Sequence, residues 1–298
     1  MRIEPFANRT MDTFLVVNPL SGRYARQRVM KVMDHLKAAG IPLTVFSVRS
    51  PAEAQTCCHA IYRIHERPFI IIAAGDGTIN SILNALQPAT ATLAVLPLGT
   101  SNVLAAEIGI GSVQEGVARI IRGIASPLSV GIMERNESAL RFALMAGCGF
   151  DGAVVRDVRP MEKKLLKQGA YALAAFRNCL SWETGQVEVA TASGLITCHS
   201  VVVSNASRYG GDFILAPPVN LISPGFTVTC VTGSRRRTYA GILLDMARGR
   251  ASANMELQQV AATEVEIRGA KPIQVDGDFV GYGPARLRVV AGFAQIVV

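Results

Sequence analysis

The chain has 298 residues, 50% of them hydrophobic, with a formal net charge of +8 and a mean hydropathy of +0.31. That length suits one large or two modest domains; no apolar run approaches the roughly 18 to 20 residues that cross a bilayer, and the opening stretch has no secretory core, so a cytoplasmic protein is expected. Six cysteines without a CxxC pair argue against zinc and a disulfide framework, and with only 6% aromatic residues and no basic stripe interleaved with them, no nucleic-acid partner is expected; the positive charge then points to nucleotides or an anionic membrane surface.

Thr13 to Val17 reads as a buried strand that runs into the polar turn Asn18-Pro19-Leu20-Ser21-Gly22-Arg23. A helix follows, with Val29, Val32, Met33 and Leu36 on one face and Gly40 as its stop. Leu43 to Val48 is the next strand, and Ser50-Pro51-Ala52-Glu53 carries a capping-box pattern with proline at the first helical position. The third unit is the most distinctive: the apolar run from Phe69 breaks into Gly75-Asp76-Gly77-Thr78, and helical spacing resumes through Asn80 at Ile79, Ile82, Leu83 and Leu86. A fourth strand, Leu93 to Leu96, ends in Pro97-Leu98-Gly99-Thr100-Ser101-Asn102, and Ser112 to Arg122 closes the series as a helix. This alternation predicts an open parallel α/β sheet, with all three unusual turns at the carboxyl ends of strands, where ligands bind in such sheets.

Glycines beside Asp76 permit a sharp turn and close ligand approach, and free amides at a helix start attract phosphate. A carboxylate among phosphates makes sense mainly with a metal ion between them. The competing reading is an ordinary strand-to-helix turn in which Asp76 is a cap.

From about Ala125 the pattern changes to short strands: Arg141 to Ala146, Gln186 to Ala190, Ile196 to Val203, Thr227 to Val231, Glu264 to Arg268, Ile273 to Val275 and Arg286 to Val290. They predict an antiparallel sheet or sandwich. Two helical stretches interrupt them, the basic amphipathic Arg156 to Leu180 and Thr238 to Arg248, the latter after Arg235-Arg236-Arg237, read as a solvated loop. The amphipathic stretch suits either domain packing or a membrane-facing flap. The histidines are read as core or surface residues, and Trp182 as a packing residue or a helix end.

Five segments in this order, Asn18 to Gly22, Gly75 to Thr78, Leu96 to Asn102, Cys148-Gly149-Phe150-Asp151 and Asp276-Gly277-Asp278, resemble the diacylglycerol kinase catalytic-domain family, which includes bacterial soluble lipid kinases and sphingosine kinases. The resemblance spans nearly the whole chain, because Leu165 to Tyr171 and Tyr209-Gly210-Gly211 with Ala216-Pro217-Pro218 also look like family segments. It implies an ATP-binding α/β domain over residues 1–128 and a β-sandwich lipid-binding domain over 129–298, the last strand returning to the first. ATP would be held by Asn18, Pro19, Ser21, Gly22, Gly75, Asp76, Gly77, Thr78, Asn80, Gly99, Thr100 and Asn102, with Asp76 near Mg²⁺. Asp278 stands where the family has its presumed general base, and Asp276 would set the local charge; the plain reading of the same triplet is a hairpin turn. The implied partners are ATP, a lipid substrate and a peripheral membrane surface, with a homodimer as an open alternative.

The chain departs from the family pattern at Ala74, in place of a glycine, and at Val103 and Ser129, where acidic residues are common. Ser223-Pro224-Gly225 replaces an acidic turn that holds structural Mg²⁺ in bacterial relatives, and is expected not to bind it. The other readings are an NAD kinase-like enzyme, which shares the Gly-Asp-Gly turn, and a catalytically weak nucleotide- or lipid-binding protein.

Overall fold

The computed structural model describes residues 12–22, 26–159, 161–162, 166, 169–210, 213–216, 219–222, 224–248 and 255–298. The chain forms two compact units, Met1–Ser129 with Ala291–Val298, and Val130–Val290.

In the first unit the strands β1 (Thr13–Val17), β2 (Leu43–Ser47), β3 (Phe69–Ala74) and β4 (Thr92–Pro97) lie parallel in the order β2-β1-β3-β4. The helices are α1 (Arg26–Ala38), α2 (Pro51–Ile64), α3 (Asp76–Ala85), α4 (Val103–Glu107) and α5 (Val113–Arg122). Every residue of β3 is buried, which is why that segment is continuously apolar instead of alternating. Val29, Val32 and Leu36 of α1 and Val117 and Ile120 of α5 join Leu15, Phe69, Ile71 and Leu96 in one core. Each such side chain contributes about 1.5–3 kcal/mol on leaving water. The capping signal at Ser50 holds, its Oγ accepting from Glu53 N at 3.2 Å, and the structure adds a like cap at Ser112, whose Oγ accepts from Glu115 N at 3.1 Å. Gly40 ends α1 at φ 76° and Gly123 ends α5 at φ 70°, left-handed positions that glycine adopts without a Cβ penalty.

The strand β5 (Ala125–Arg135) leads into the second unit, a sandwich of two antiparallel arrays around one core. One array contains β6 (Ser138–Phe142), β8 (Val187–Thr191), β9 (Gly194–Cys198), β15 (Glu264–Arg268) and the first part of β18 (Ala285–Val297). The other runs β14 (Leu257–Ala262), β13 (Phe226–Val231), β10 (Ser200–Ser204), β7 (Met145–Cys148), β16 (Pro272–Val275), β17 (Asp278–Tyr282). Phe142 and Phe226 stack in the core at 5.7 Å. A short hairpin is formed by β11 (Arg208–Tyr209) and β12 (Phe213–Ile214), and the helices are α6 (Phe150–Asp157), α7 (Gly169–Leu180) and α8 (Arg236–Ala247).

Several element boundaries differ from the sequence expectation. The run Arg141 to Ala146 is divided between β6 and β7, and Ile196 to Val203 between β9 and β10, because at each break the chain passes from one array to the other. Alternation persists through such a corner, so it does not reveal the break. The final strand continues to Val297, and in the first unit its Gln295 and Ile296 pair parallel with Thr92 and Leu93. Arg236 and Arg237 open α8 instead of lying in a loop, and the amphipathic stretch contains the end of α6 and the whole of α7. Arg23, Leu165, Gly211, Pro217, Pro218 and Ser223 lie outside the described residues. Among the described residues no helix is long and apolar enough to cross a membrane.

Candidate active site

Parallel pairing aligns the strand ends, with Val17 opposite Ala73 and Ala74 opposite Pro97. The turns that follow β1, β3 and β4 therefore lie side by side. Asn18 Nδ2 donates to Thr78 Oγ1 at 2.8 Å, while its Oδ1 accepts from Leu20 N at 2.8 Å. Ser21 N closes the turn onto Asn18 O at 3.1 Å. A Cβ on Gly22 would stand 2.7 Å from Thr100 Oγ1, and one on Gly99 would stand 2.4 Å from Gly75 Cα. Gly75 and Gly99 thus permit a backbone-to-backbone approach that a side chain would block. By contrast, a Cβ on Gly77 would meet open space, so that position leaves room beside the helix start.

Asp76 is the first residue of α3, yet it holds a different helix. Its Oδ2 accepts from Val103 N and its Oδ1 from Leu104 N, each at 3.0 Å, satisfying two amides at the start of α4. Asn102, at φ 51°, turns its side chain back on Gly99: Oδ1 accepts from Gly99 N at 2.7 Å and Nδ2 donates to Gly99 O at 3.0 Å. Gly75 caps α3 without any side-chain bond, so the helix start retains its attraction for anions. Pro19 is half-buried in the first turn, and Asn80 Oδ1 accepts from Asn84 Nδ2 at 3.0 Å on the same helix.

The donor set of this cradle bears on Mg²⁺. No group of three or more His, Cys, Asp or Glu among the described residues is arranged to hold a metal ion. Asp76 is the cradle's one carboxylate, and each oxygen that accepts an amide keeps a further lone pair. That fits an ion carried by phosphate oxygens and touched by one protein carboxylate, not an all-protein cage. Val103 and Ser129 are buried and supply no carboxylate.

In the second unit Asp276 and Gly277 make a two-residue hairpin between β16 and β17, with Val275 opposite Asp278. Their φ values of 47° and 87° are those of the turn that Asp-Gly favours. Asp276 also reaches across to the chain before β7: its Oδ2 accepts from Ala143 N at 2.8 Å, and its Oδ1 from Leu144 N and Met145 N, both at 2.9 Å. Three amides on one carboxylate make Asp276 a clamp at the point where β6 gives way to β7. Asp278, first residue of β17, is exposed and carries its carboxylate on a strand start fixed by that hairpin.

Sequence reasoning saw the Cys148 to Asp151 segment but assigned no role to Asp151. In the structure its carboxylate is buried beneath the hairpin strand, accepting from the Tyr209 hydroxyl and from Gln274 Nε2, the latter at 2.7 Å. Gln274 Oε1 in turn accepts from Gly277 N at 2.7 Å. Burial pushes the Asp151 carboxyl above the ordinary aspartate range, and the two hydrogen bonds oppose the shift. Glycines make the room: a Cβ on Gly147 would stand 1.8 Å from Asp151 Oδ2, and one on Gly152 would stand 2.1 Å from Pro272 O. The available signal was one polar residue, Gln274, inside an apolar strand.

The start of α6 is held by Ser200, whose Oγ accepts from Phe150 N at 3.0 Å. Ser200 Oγ and His199 Nδ1 both meet the Tyr239 hydroxyl at 2.5 Å. Trp182 stacks on His199 at 5.2 Å, and Lys271 Nζ donates to His199 O at 2.9 Å. Burial lowers the His199 pKa and favours the neutral ring. His199 is therefore a buried packing residue, and the half-buried Trp182 packs over it just beyond the end of α7.

A glycine-turn cradle on a parallel sheet, with a β-sandwich carrying an Asp-Gly-Asp hairpin, defines the kinase class that couples these two folds. The chain belongs to the diacylglycerol kinase catalytic-domain family. Residues 12–133 match the diacylglycerol kinase catalytic domain, and residues 145–298 match the YegS C-terminal NAD kinase beta sandwich-like domain. It is 26% identical over 283 residues to the diacylglycerol kinase of Bacillus subtilis (strain 168), covering 91% of this chain and 90% of that protein. It is 32% identical over 157 residues to the probable lipid kinase YegS-like of Shewanella frigidimarina, covering 50% of this chain and 49% of that protein. A crystal structure of a diacylglycerol kinase from Bacillus anthracis str. Sterne shares the fold at TM-score 0.71 and 19% identity, over 96% of each chain.

Proposed function

We propose that this protein is an ATP-dependent lipid kinase that transfers the γ-phosphoryl group to a lipid hydroxyl. The observation that carries the reading is the convergence of three small-residue turns, with Gly75 and Gly99 in backbone contact and an α3 start that no side chain caps. Such a surface receives phosphates through amides instead of side chains. Phosphoryl transfer asks the protein mainly for positioning and charge stabilisation, so few catalytic side chains suffice.

In this reading Asn18 to Gly22, Gly75 to Thr78 and Gly99 to Asn102 bind ATP, and Asp76 would be the carboxylate that helps hold Mg²⁺, which when bound would offset the phosphate charge. Asp278 takes the proton as the acceptor oxygen forms its bond to the γ-phosphorus and the bond to the ADP oxygen breaks. Asp276 does not share the proton; its three amide bonds hold the hairpin. A lipid acceptor is supported by the exposed apolar side chains of the second unit, among them Met161 (71%), Phe176 (62%) and Leu180 (65%). Together with the net charge of +8 they suit attachment to an anionic membrane face without insertion.

Radiolabelled ATP with diacylglycerol, monoacylglycerol, sphingosine, ceramide and phosphatidylglycerol in mixed micelles tests the reading. Labelled lipid is the expected product. The NAD kinase-like description of the matched second domain favours one other reading, a soluble acceptor, which would give turnover on NAD without micelles. ATP binding with no turnover on any acceptor would leave a nucleotide-binding protein.

A further inference from the structure

Asp151 is 8% exposed and Gln274 2% exposed, and neither has a basic partner among its hydrogen bonds. Their orientation is nonetheless unambiguous. Gly277 N can only donate, so the Gln274 atom 2.7 Å from it must be the carbonyl oxygen. The Gln274 amide nitrogen is then left to donate, and at 2.7 Å it meets the carboxylate of Asp151. With Asp151 Oδ2 accepting from that nitrogen, the carboxyl group holds the Gln274 side chain in the one orientation that serves Gly277. The second Asp151 oxygen is taken by the Tyr209 hydroxyl, which fixes the carboxylate itself. Gly277 lies between Asp276 and Asp278, at the tip of the hairpin.

We propose that Asp151 is a positioning residue for the phosphoryl-transfer reaction: through the Gln274 side chain it fixes the Asp276-Gly277-Asp278 hairpin, and with it the place of the Asp278 carboxylate. The role in turnover rests on the lipid-kinase reading above, whereas the hold on Gly277 does not. Asp151 touches no reacting atom. Its contribution is that the base stands at one distance from the acceptor hydroxyl, and small misplacements at a reacting centre lower kcat steeply.

The test is a donor–acceptor swap. Gln274→Glu still accepts from Gly277 N, but turns a second carboxyl toward Asp151. The pair must then share a proton or repel, increasingly as pH rises. Gly277 amide exchange should quicken by about tenfold, the value of one lost buried hydrogen bond. In the lipid assay kcat should fall by a similar factor with the KM for ATP unchanged, and both defects should grow from about pH 6 to about pH 9. Adding Asp151→Asn restores the missing donor, since its amide nitrogen gives to the carboxylate introduced at position 274 while its oxygen still accepts from Tyr209; the double variant should regain exchange and kcat. Asp151→Asn alone should be mild, because the Tyr209 hydroxyl can rotate and accept. Tyr209→Phe, which removes one oxygen only, serves if Gln274→Glu does not fold, and should quicken Gly277 exchange by about twofold to fivefold. Unchanged Gly277 exchange in Gln274→Glu, or in Tyr209→Phe where that variant is used, overturns the proposal, as does a folded double variant no better than Gln274→Glu. Absence of lipid turnover in the unaltered protein would sink the lipid-kinase reading, while the exchange measurement would still decide the hold on the hairpin.

Discussion

Replacing Asp76 by asparagine separates two roles that one carboxylate can combine. In the structure both oxygens accept amides of α4, from Val103 N and Leu104 N at 3.0 Å each. Asparagine keeps one acceptor and turns an NH₂ group toward the other amide, so one charge-assisted bond becomes an opposition of two donors. A hydrogen bond to a charged group is worth about 1.5–3 kcal/mol, and water reaches this half-buried site, so a loss near 2 kcal/mol of local stability is expected, roughly. That is about a thirtyfold shift in the opening equilibrium of the turn, since about 1.4 kcal/mol is tenfold. Hydrogen exchange followed residue by residue should show Val103 and Leu104 amides exchanging about thirtyfold faster in Asp76→Asn, without nucleotide or magnesium present. Titration calorimetry should then show a weaker interaction with Mg-ATP, and a smaller loss with ATP in the absence of divalent ions. Unaltered exchange at both amides would refute the claim that Asp76 anchors α4. Equal loss with and without divalent ions would refute its role beside Mg²⁺.

Gly99→Ala should cost about 1–3 kcal/mol and weaken ATP binding, because its Cβ would meet Gly75 Cα at 2.4 Å and the neighbour is backbone, which cannot rotate away; urea unfolding and calorimetry report the two effects. Asp278→Asn should lower kcat with little change in the KM for ATP, and a variant retaining full kcat would remove Asp278 from the mechanism. Attachment to anionic vesicles should weaken with added salt as the Debye length contracts to about 10 Å or less, and equal co-sedimentation with neutral and anionic vesicles would count against it. Burial raises the Asp151 pKa, so the folded chain keeps a proton there that the unfolded chain has released. The site's contribution to stability is thus lost as pH rises from the ordinary aspartate value through the raised one, and Asp151→Asn should flatten that part of the urea-midpoint profile.

Local sequence sufficed wherever the physics is local. Apolar runs and helical spacing marked the parallel unit, the capping pattern at Ser50 marked a helix start, and Asp276-Gly277 marked a hairpin, because each depends on neighbours within a few residues. The three turns could also be placed at one sheet edge, since parallel strands put all their carboxyl ends on the same side. What those turns do to one another was decided only by tertiary structure. That Asp76 holds α4 instead of capping α3, that Gly75 and Gly99 touch, and that Asp276 gathers the amides of Ala143, Leu144 and Met145 are contacts between segments far apart in the chain. The same holds for Asp151, which the sequence offered only as the last residue of the Cys148-Gly149-Phe150-Asp151 segment, with no role attached. It becomes a support for the hairpin because Gly147 and Gly152 let α6 settle against β16, bringing a buried carboxylate to the Gln274 amide. Periodicity reports which face of an element is apolar, but only packing determines which polar group of a distant segment meets a buried donor, and that meeting is what ties Asp151 through Gln274 to the Gly277 amide.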